Sequence, residues 1–352
     1  MLDTVNSRPI RVIIVDDVRS IRAFIKSILL RSSSIEVVGE ANDPYEAREL
    51  IRELNPDVIT LDVEMPRMDG LSFLERLMRL RPIPVVMVSS RTTENSAAAI
   101  QALSLGACDC IDIATLSSQK SRADLLDLVV AAARSRPRGD ARRMAPAQHS
   151  KQKKLRWNGK SVLIGSSTGG VDALTTVLSQ YPEDGPPTVI AQHMPPAFLE
   201  SFTSRLNGLV APTVRLAKDG DTLRQGDVLV APGGHTHIAL TGDSNPRVTL
   251  VPNDGTEPYV PSINVLFASA RRHAKRTVAV MLTGMGRDGA DPMLALKTAG
   301  AYTIAQDGAS AVVDGMPKAA REIGAASEVT PLNRIAASVL AQVTRSDQGA
   351  PT

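Results

Sequence analysis

The chain has 352 residues, more than one hydrophobic core ordinarily accommodates, so two domains are expected. Hydrophobic residues make up 43% and charged residues 22%, which excludes a largely disordered chain, while aromatics at 3% leave the cores to Val, Leu, Ile, Ala and Met. The formal charge of +3 is a segment property: Arg134 to Lys160 holds ten Lys/Arg and one Asp, a net of +9, so the rest carries −6 and neither flank has the basic face of a nucleic-acid-binding domain.

Residues 11–134 alternate the strand-like runs RVIIV, IEVVGE, DVITL, PVVMVSS and CDCIDI with helical patterns such as SIRAFIKSILLRS and YEARELIREL. Five such units predict an α/β fold, a doubly wound parallel sheet of flavodoxin type whose ligands sit at the carboxyl ends of the strands. Periodicity then stops. Pro137, Gly139 and Pro146 punctuate a charged, small-residue stretch that reads as a flexible basic linker over 135–158, with Trp157 marking where it docks on the second domain.

The pattern resumes with SVLIG, a helix from about Thr168, PTVIAQH, a helix from about Pro196, then VRLA, DVLVAP and RVTLVP. A helix at Pro261, TVAVMLTG, a helix near Ala290 and AYTIAQ complete a second, mostly parallel α/β domain. The short strands between Val214 and Val251 are expected to form an antiparallel insertion. The boundaries are set at 9–134 and 159–347. No apolar run approaches the roughly 20 residues of a membrane helix and the N-terminus lacks a secretory core, so a cytoplasmic location is expected. Cys108 and Cys110 read as buried small side chains.

Asp16 and Asp17 directly follow the first strand and Asp62 ends the third, which sets three carboxylates along one sheet edge. Such anions repel unless a cation is bound, and hard oxygen ligands favour Mg2+. A helix cap would explain Asp16 and Asp17 but not the set. Together with LDVEMPRMDG, where Pro66, Asp69 and Gly70 follow Asp62, the stretch closely resembles a response-regulator receiver domain. The resemblance implies phosphorylation of Asp62 by a histidine kinase, Mg2+ held by Asp16, Asp17, Asp62 and the backbone of Glu64, and Ser89 as the switch hydroxyl. One departure is visible: Ile113 and Ala114 stand where receivers carry Lys-Pro, and Lys120 comes several residues later. Weaker control by phosphate is the expected result.

In the second domain, Ser166, Ser167, Thr168, Gly169 and Gly170 follow the first strand. Such a turn serves equally as a phosphate cradle or as a nucleophile turn. His193 ends the next strand, and Met285 and Asp288 follow TVAVMLTG, which makes a Ser-His-Asp set the economical reading. The order Ser, His, Asp excludes the usual alpha/beta-hydrolase arrangement. The absence of Gly-Lys-Ser/Thr disfavours a P-loop, and Gln192-His193 in place of an acid disfavours a dinucleotide site. His235 and His237 could share a strand face, but no third metal ligand is evident. Met281, Met285 and Met293 read as core or turn residues.

The strings GSSTGG, AQHMPP, APGGHTH, LTGMGRDG and AQDGASAVVDGMP closely resemble the catalytic domain of the chemotaxis protein-glutamate methylesterases, the CheB family. The resemblance implies Ser167, not Ser166, as nucleophile, His193 as general base and Asp288 as its orienting acid. Thr168, Gly169 and Met285 are the implied oxyanion or turn residues, and no cofactor is implied for the esterase. The implied substrates are glutamyl methyl esters and glutamines of methyl-accepting chemoreceptors, the implied phosphodonor is the chemotaxis kinase, and the receiver is expected to block the esterase until phosphorylated. The rival from another class is a non-catalytic regulator that binds a protein or phosphorylated ligand at the Gly-rich turn; a general small-ester hydrolase is a further alternative.

Overall fold

A computed structural model describes residues 8–89, 93–135, 154–243 and 245–345, apart from the side chains of Ser89, residues 93–96 and Lys120. The hydroxyl of Ser89, the amine of Lys120 and most of the expected linker, 136–153, therefore lie outside the described residues. The chain divides into two compact units, residues 1–143 and 144–352.

The first unit runs β1 (Ile10–Val15), α1 (Arg19–Leu29), β2 (Ile35–Ala41), α2 (Pro44–Leu54), β3 (Val58–Asp62), α3 (Gly70–Leu80), β4 (Val85–Ser89), α4 (Thr93–Ser104), β5 (Asp109–Asp112) and α5 (Gln119–Arg134). The expected five strands form one parallel sheet in the order β2-β1-β3-β4-β5. Val12 to Val15 and Val58 to Leu61 are sealed from solvent on both faces, as a sheet covered by helices requires. The helices follow their sequence signals. Ile25, Ile28 and Leu29 place one face of α1 on the sheet, and Asp43 caps α2 by accepting the amides of Tyr45 and Glu46 beside Pro44. Cys108 and Cys110 are buried free thiols, and burial first of all pushes both above the ordinary thiol range.

The second unit runs β6 (Ser161–Ser166), α6 (Gly170–Leu178), β7 (Thr188–Gln192), α7 (Pro196–Asn207), β8 (Thr213–Leu216), β9 (Asp227–Val230), β10 (Thr236–Thr241), β11 (Arg247–Pro252), α8 (Ile263–Ser269), β12 (Thr277–Met281), α9 (Ala290–Thr298), β13 (Tyr302–Gln306), α10 (Met316–Glu322), β14 (Glu328–Thr330) and α11 (Leu332–Val343). Seven strands form a parallel sheet in the order β14-β13-β12-β6-β7-β9-β8, with β6 in the middle and all six of its residues buried. Leu163, Val189, Leu229, Phe267, Met281 and Met293 share one core.

The expected antiparallel insertion is corrected in part. Only β10 and β11 pair antiparallel, as a two-stranded ribbon. β8 and β9 join the main sheet in parallel, with Thr188 opposite Val228 and Ile190 opposite Val230. Val228, Leu229 and Val230 are fully or almost fully buried, which a two-sided parallel strand satisfies and a half-exposed ribbon would not.

The residues just before β6 are strapped to the end of α11. Trp157 bridges Thr344, Asn158 donates from its amide to the Val343 carbonyl at 2.9 Å, and Arg345 donates to the Arg156 carbonyl at 2.7 Å. The Trp157 indole N–H turns back to the Lys160 carbonyl. The stretch around Trp157 thus docks on the second unit.

Candidate active site

β6 delivers two serines to the rim with opposite fates. Ser166 is fully buried and its hydroxyl donates to Gln192 Oε1 at 2.6 Å, whereas Ser167, the next residue, is partly exposed. Gly169 closes the turn at φ 78°, and a Cβ there would strike Val312. The loop after β12 packs directly on the nucleophile candidate: a Cβ on Gly284 would lie 2.7 Å from Ser167 Cβ, so a glycine is required for that approach, and it brings Met285 alongside. The Ser167 amide donates to the Thr283 carbonyl at 3.0 Å. That amide is therefore spent on structure.

His193 lies one residue beyond the last paired position of β6 and β7, Ser166 opposite Gln192, and its amide extends the ladder to the Ser166 carbonyl at 3.0 Å. Neighbouring parallel strands are about 4.8 Å apart, so Ser167 and His193 leave the sheet side by side. His193 Nε2 meets Asp288 Oδ2 at 2.7 Å with both side chains nearly buried, 9% and 2% exposed. Asp288 also accepts the amides of Ile263 at 2.8 Å and Asn264 at 2.9 Å. Burial opposes ionisation of this carboxyl, yet the His193 hydrogen bond and charge and the two amides outweigh it and hold its pKa below the ordinary value. An ionised Asp288 on Nε2 fixes the proton there, so the buried Nδ1, which has no hydrogen-bond partner, is the basic nitrogen. The structure thus joins His193 to Asp288 and sets Ser167 beside them without a Ser167–Nδ1 hydrogen bond.

At the carboxyl edge of the first sheet, ligand oxygens of Asp16, Asp17 and Asp62 lie within 4.8 Å of one another, the single such acidic group among the described residues. They open on a cavity of about 810 Å3. Burial, then the charge of Asp16, raise Asp62 to about 7 against the amides of Glu64 and Val63. Burial likewise leads in raising Asp16 to about 6, with the Val18 amide and Arg22 opposing and Asp17 adding to it. Carboxylates this strained by one another suit a hard divalent cation. Ile113 lines the cavity at the start of a 3-10 turn capped by Asp112, and no Lys or Arg lines it among the described residues. Arg22, whose charge opposes the rise at Asp16, donates to the carbonyls of Asp16 and Asp17 at 2.7 and 3.2 Å.

Residues 162–339 match the CheB methylesterase family and residues 12–112 match the response regulator receiver domain. The chain belongs to the CheB methylesterase family. It is 46% identical, over 94% of its length and 97% of theirs, to a protein-glutamate methylesterase/protein-glutamine glutaminase of Caulobacter vibrioides, and 45% identical, over 97% and 98%, to one of Agrobacterium fabrum. The crystal structure of the Thermotoga maritima CheB methylesterase catalytic domain superposes with a TM-score of 0.51 at 36% identity, covering 53% of this chain and 99% of that one.

Around the CheB-family motifs stand residues whose contacts the sequence does not show. Gln192 is a clamp: its Oε1 receives Ser166, and its Nε2 donates to the carbonyls of Ser167 at 2.9 Å and His193 at 3.1 Å. A Cβ on Gly170 would lie 2.0 Å from that Oε1, so the last glycine of GSSTGG admits the clamp. His237 is 2% exposed; its Nδ1 accepts the Ser262 amide at 3.0 Å and its Nε2 faces Asn253 Oδ1 at 3.3 Å. It supports the segment that holds Asp288, while His235 is exposed and forms no metal group with it among the described residues. Tyr259 stacks on His193, with ring centroids 4.5 Å apart and planes 14° from parallel. Its only sequence signal is a single aromatic in a polar stretch.

Proposed function

We propose that the chain is a chemotaxis response regulator whose second unit hydrolyses glutamyl methyl esters, and deamidates glutamines, on methyl-accepting chemoreceptors. The observation that carries this reading is the His193–Asp288 pair, held at 2.7 Å beside Ser167 at the ends of adjacent strands. The relatives' names supply the substrate class.

Ser167 Oγ attacks the ester carbonyl as its proton passes to His193 Nδ1, and the ionised Asp288 on Nε2 stabilises the imidazolium. The negative charge on the carbonyl oxygen falls to backbone N–H groups of Thr168, Gly169 and Met285. Collapse releases methanol, which takes the proton back from Nδ1, and leaves an acyl-Ser167. Water, deprotonated by Nδ1, then frees the glutamate and restores Ser167. With glutamine, ammonia leaves in place of methanol. The missing Ser167–Nδ1 bond closes when substrate fills the cleft, as catalytic hydrogen bonds tighten from their unliganded geometry.

In the receiver, Asp62 accepts the phosphoryl group from the chemotaxis kinase. Asp16, Asp17, Asp62 and the backbone of Glu64 would hold Mg2+, which when bound would supply positive charge to offset the carboxylates and a phosphoryl group. Ser89 supplies the switch hydroxyl, and phosphorylation relieves a block of the esterase by the receiver. No described helix is long and apolar enough to cross a membrane, in keeping with a cytoplasmic enzyme that visits receptor arrays from solution. The non-catalytic alternative leaves the Asp288 network without a purpose.

Methanol release from methylated receptor membranes, compared between wild type and Ser167→Ala, tests the reading. Release by the wild type alone supports it; equal release, or none from either, refutes it.

A further inference from the structure

Asp288 grips His193 at one nitrogen only, and a single hydrogen bond leaves an imidazole free to swing about it. The opposite nitrogen, Nδ1, is buried without a partner, so no second hydrogen bond sets the ring plane. Among the described residues the aromatic ring against it is Tyr259, stacked at 4.5 Å and 14°. His193 sits on the open rim of the sheet, yet its side chain is only 9% exposed.

Tyr259 is not a core residue that happens to touch the site. It is half-buried, follows the exposed run Val251–Thr256, and lies outside the buried core of the unit. Its ring reaches toward the loop after β12: a Cβ placed on Gly286 would lie 3.8 Å from the Tyr259 hydroxyl. Gly286 adjoins Met285, so one phenol spans from the base to the turn that flanks Ser167.

We infer that Tyr259 is a positioning residue for the general base, its ring fixing the plane of His193 so that Nδ1 stays directed at Ser167, and walling that edge of the ester cleft from water. Deepening the esterase reading above, this assigns the flat face rather than the hydroxyl as the working part. A flat π face against imidazole also favours the imidazolium formed at each proton transfer, because the electron-rich ring face attracts a cation. Misaim of a catalytic group costs chiefly in turnover, since substrate still binds.

The test is steady-state methanol release from methylated receptor membranes by wild type, Tyr259→Leu, Tyr259→Phe and Ser167→Ala, with melting temperatures alongside. Tyr259→Leu is expected to lower kcat about ten- to a hundredfold with KM within about twofold, and Tyr259→Phe to recover most of the loss. A leucine variant with wild-type kcat, a loss confined to KM, or a phenylalanine variant as impaired as leucine overturns the inference. If Tyr259→Leu melts early, Tyr259→Met, which keeps bulk without a flat ring, carries the same expectations. Release that is absent in wild type or equal in Ser167→Ala removes the esterase reading itself. With those two controls as expected, a negative Tyr259 result counts against the positioning role alone.

Discussion

The two units place their polar groups at the same address, the carboxyl ends of parallel strands, and treat buried charge in opposite ways. Asp288 is the more deeply buried carboxyl, yet its pKa is lowered, because His193 and two backbone amides face it. Asp62 is less buried and is raised to about 7, chiefly by burial and next by the charge of Asp16, while Ile113, which lines the pocket, carries no charge to answer them. Burial pushes both carboxyls up, and only at Asp288 do the partners outweigh it. The catalytic site carries its compensation inside the fold, whereas the acidic pocket awaits it from solution.

The largest test of that contrast removes the group which the compensated site serves. Ser167→Ala is expected to cut methanol release by about 10^4-fold or more with the fold intact, whereas Ser166→Ala, which removes a buried hydroxyl on Gln192, keeps most turnover. The reverse pattern would reassign the nucleophile.

Next comes the compensation itself. Asp288 Oδ2 receives both His193 and Ile263, and Oδ1 receives Asn264. In Asp288→Asn, one of these oxygens becomes an NH2 that must face a donor, so kcat should fall by about 10^3- to 10^4-fold, measured in the same assay. A loss below tenfold would show that His193 does not depend on the acid.

A smaller effect is expected where the pocket lacks its cation. Ile113→Lys returns a positive charge to the acidic cavity and should increase the stimulation of esterase activity by acetyl phosphate and Mg2+ about fivefold. Unchanged stimulation would mean that control by phosphate does not run through this position.

The smallest effect is on stability. A carboxyl whose pKa is raised by folding binds its proton more tightly in the folded state, so its contribution is full at low pH and is lost as pH rises through the folded value. With Asp16 at about 6 and Asp62 at about 7, the receiver melting transition of the full chain should drop by a few degrees between pH 5 and 8 without metal. Added Mg2+ should reverse the drop, and Asp62→Asn should flatten it; a transition indifferent to pH and Mg2+ would refute the uncompensated pocket.

Much of this was legible in the chain because parallel strands announce themselves as short apolar runs and put their chemistry immediately after them. Asp16, Asp62, His193 and Asp288 are read that way as candidates, whereas the choice of Ser167 over Ser166 comes from the family resemblance. What escaped depends on register between distant segments. DVLVAP reads as a strand, but nothing local says that it lies parallel to β7 instead of opposite a hairpin partner. Nor does any local pattern reveal that Gln192 reaches back over Gly170, that His237 props the Ser262 amide, or that Tyr259 lies flat on His193. Of the elements after β13, α10 and β14 are only seven and three residues long and escape a reading by pattern; α11 is not read either, although its 12 residues carry neither Pro nor Gly. Which imidazole nitrogen faces the acid is likewise a matter of where α8 begins, not of any motif.

The strap between Trp157 and Thr344 has a topological consequence. The first and last described stretches of the second unit meet at one spot, with Arg156 and Arg345 sharing a backbone hydrogen bond. Its fold is in effect a closed loop of chain, indifferent to where the loop is cut. A circular permutant that joins these two ends by a few residues and opens the turn between β10 and β11 keeps every strand neighbour of the seven-stranded sheet. It also leaves Ser167, His193 and Asp288 on uncut segments.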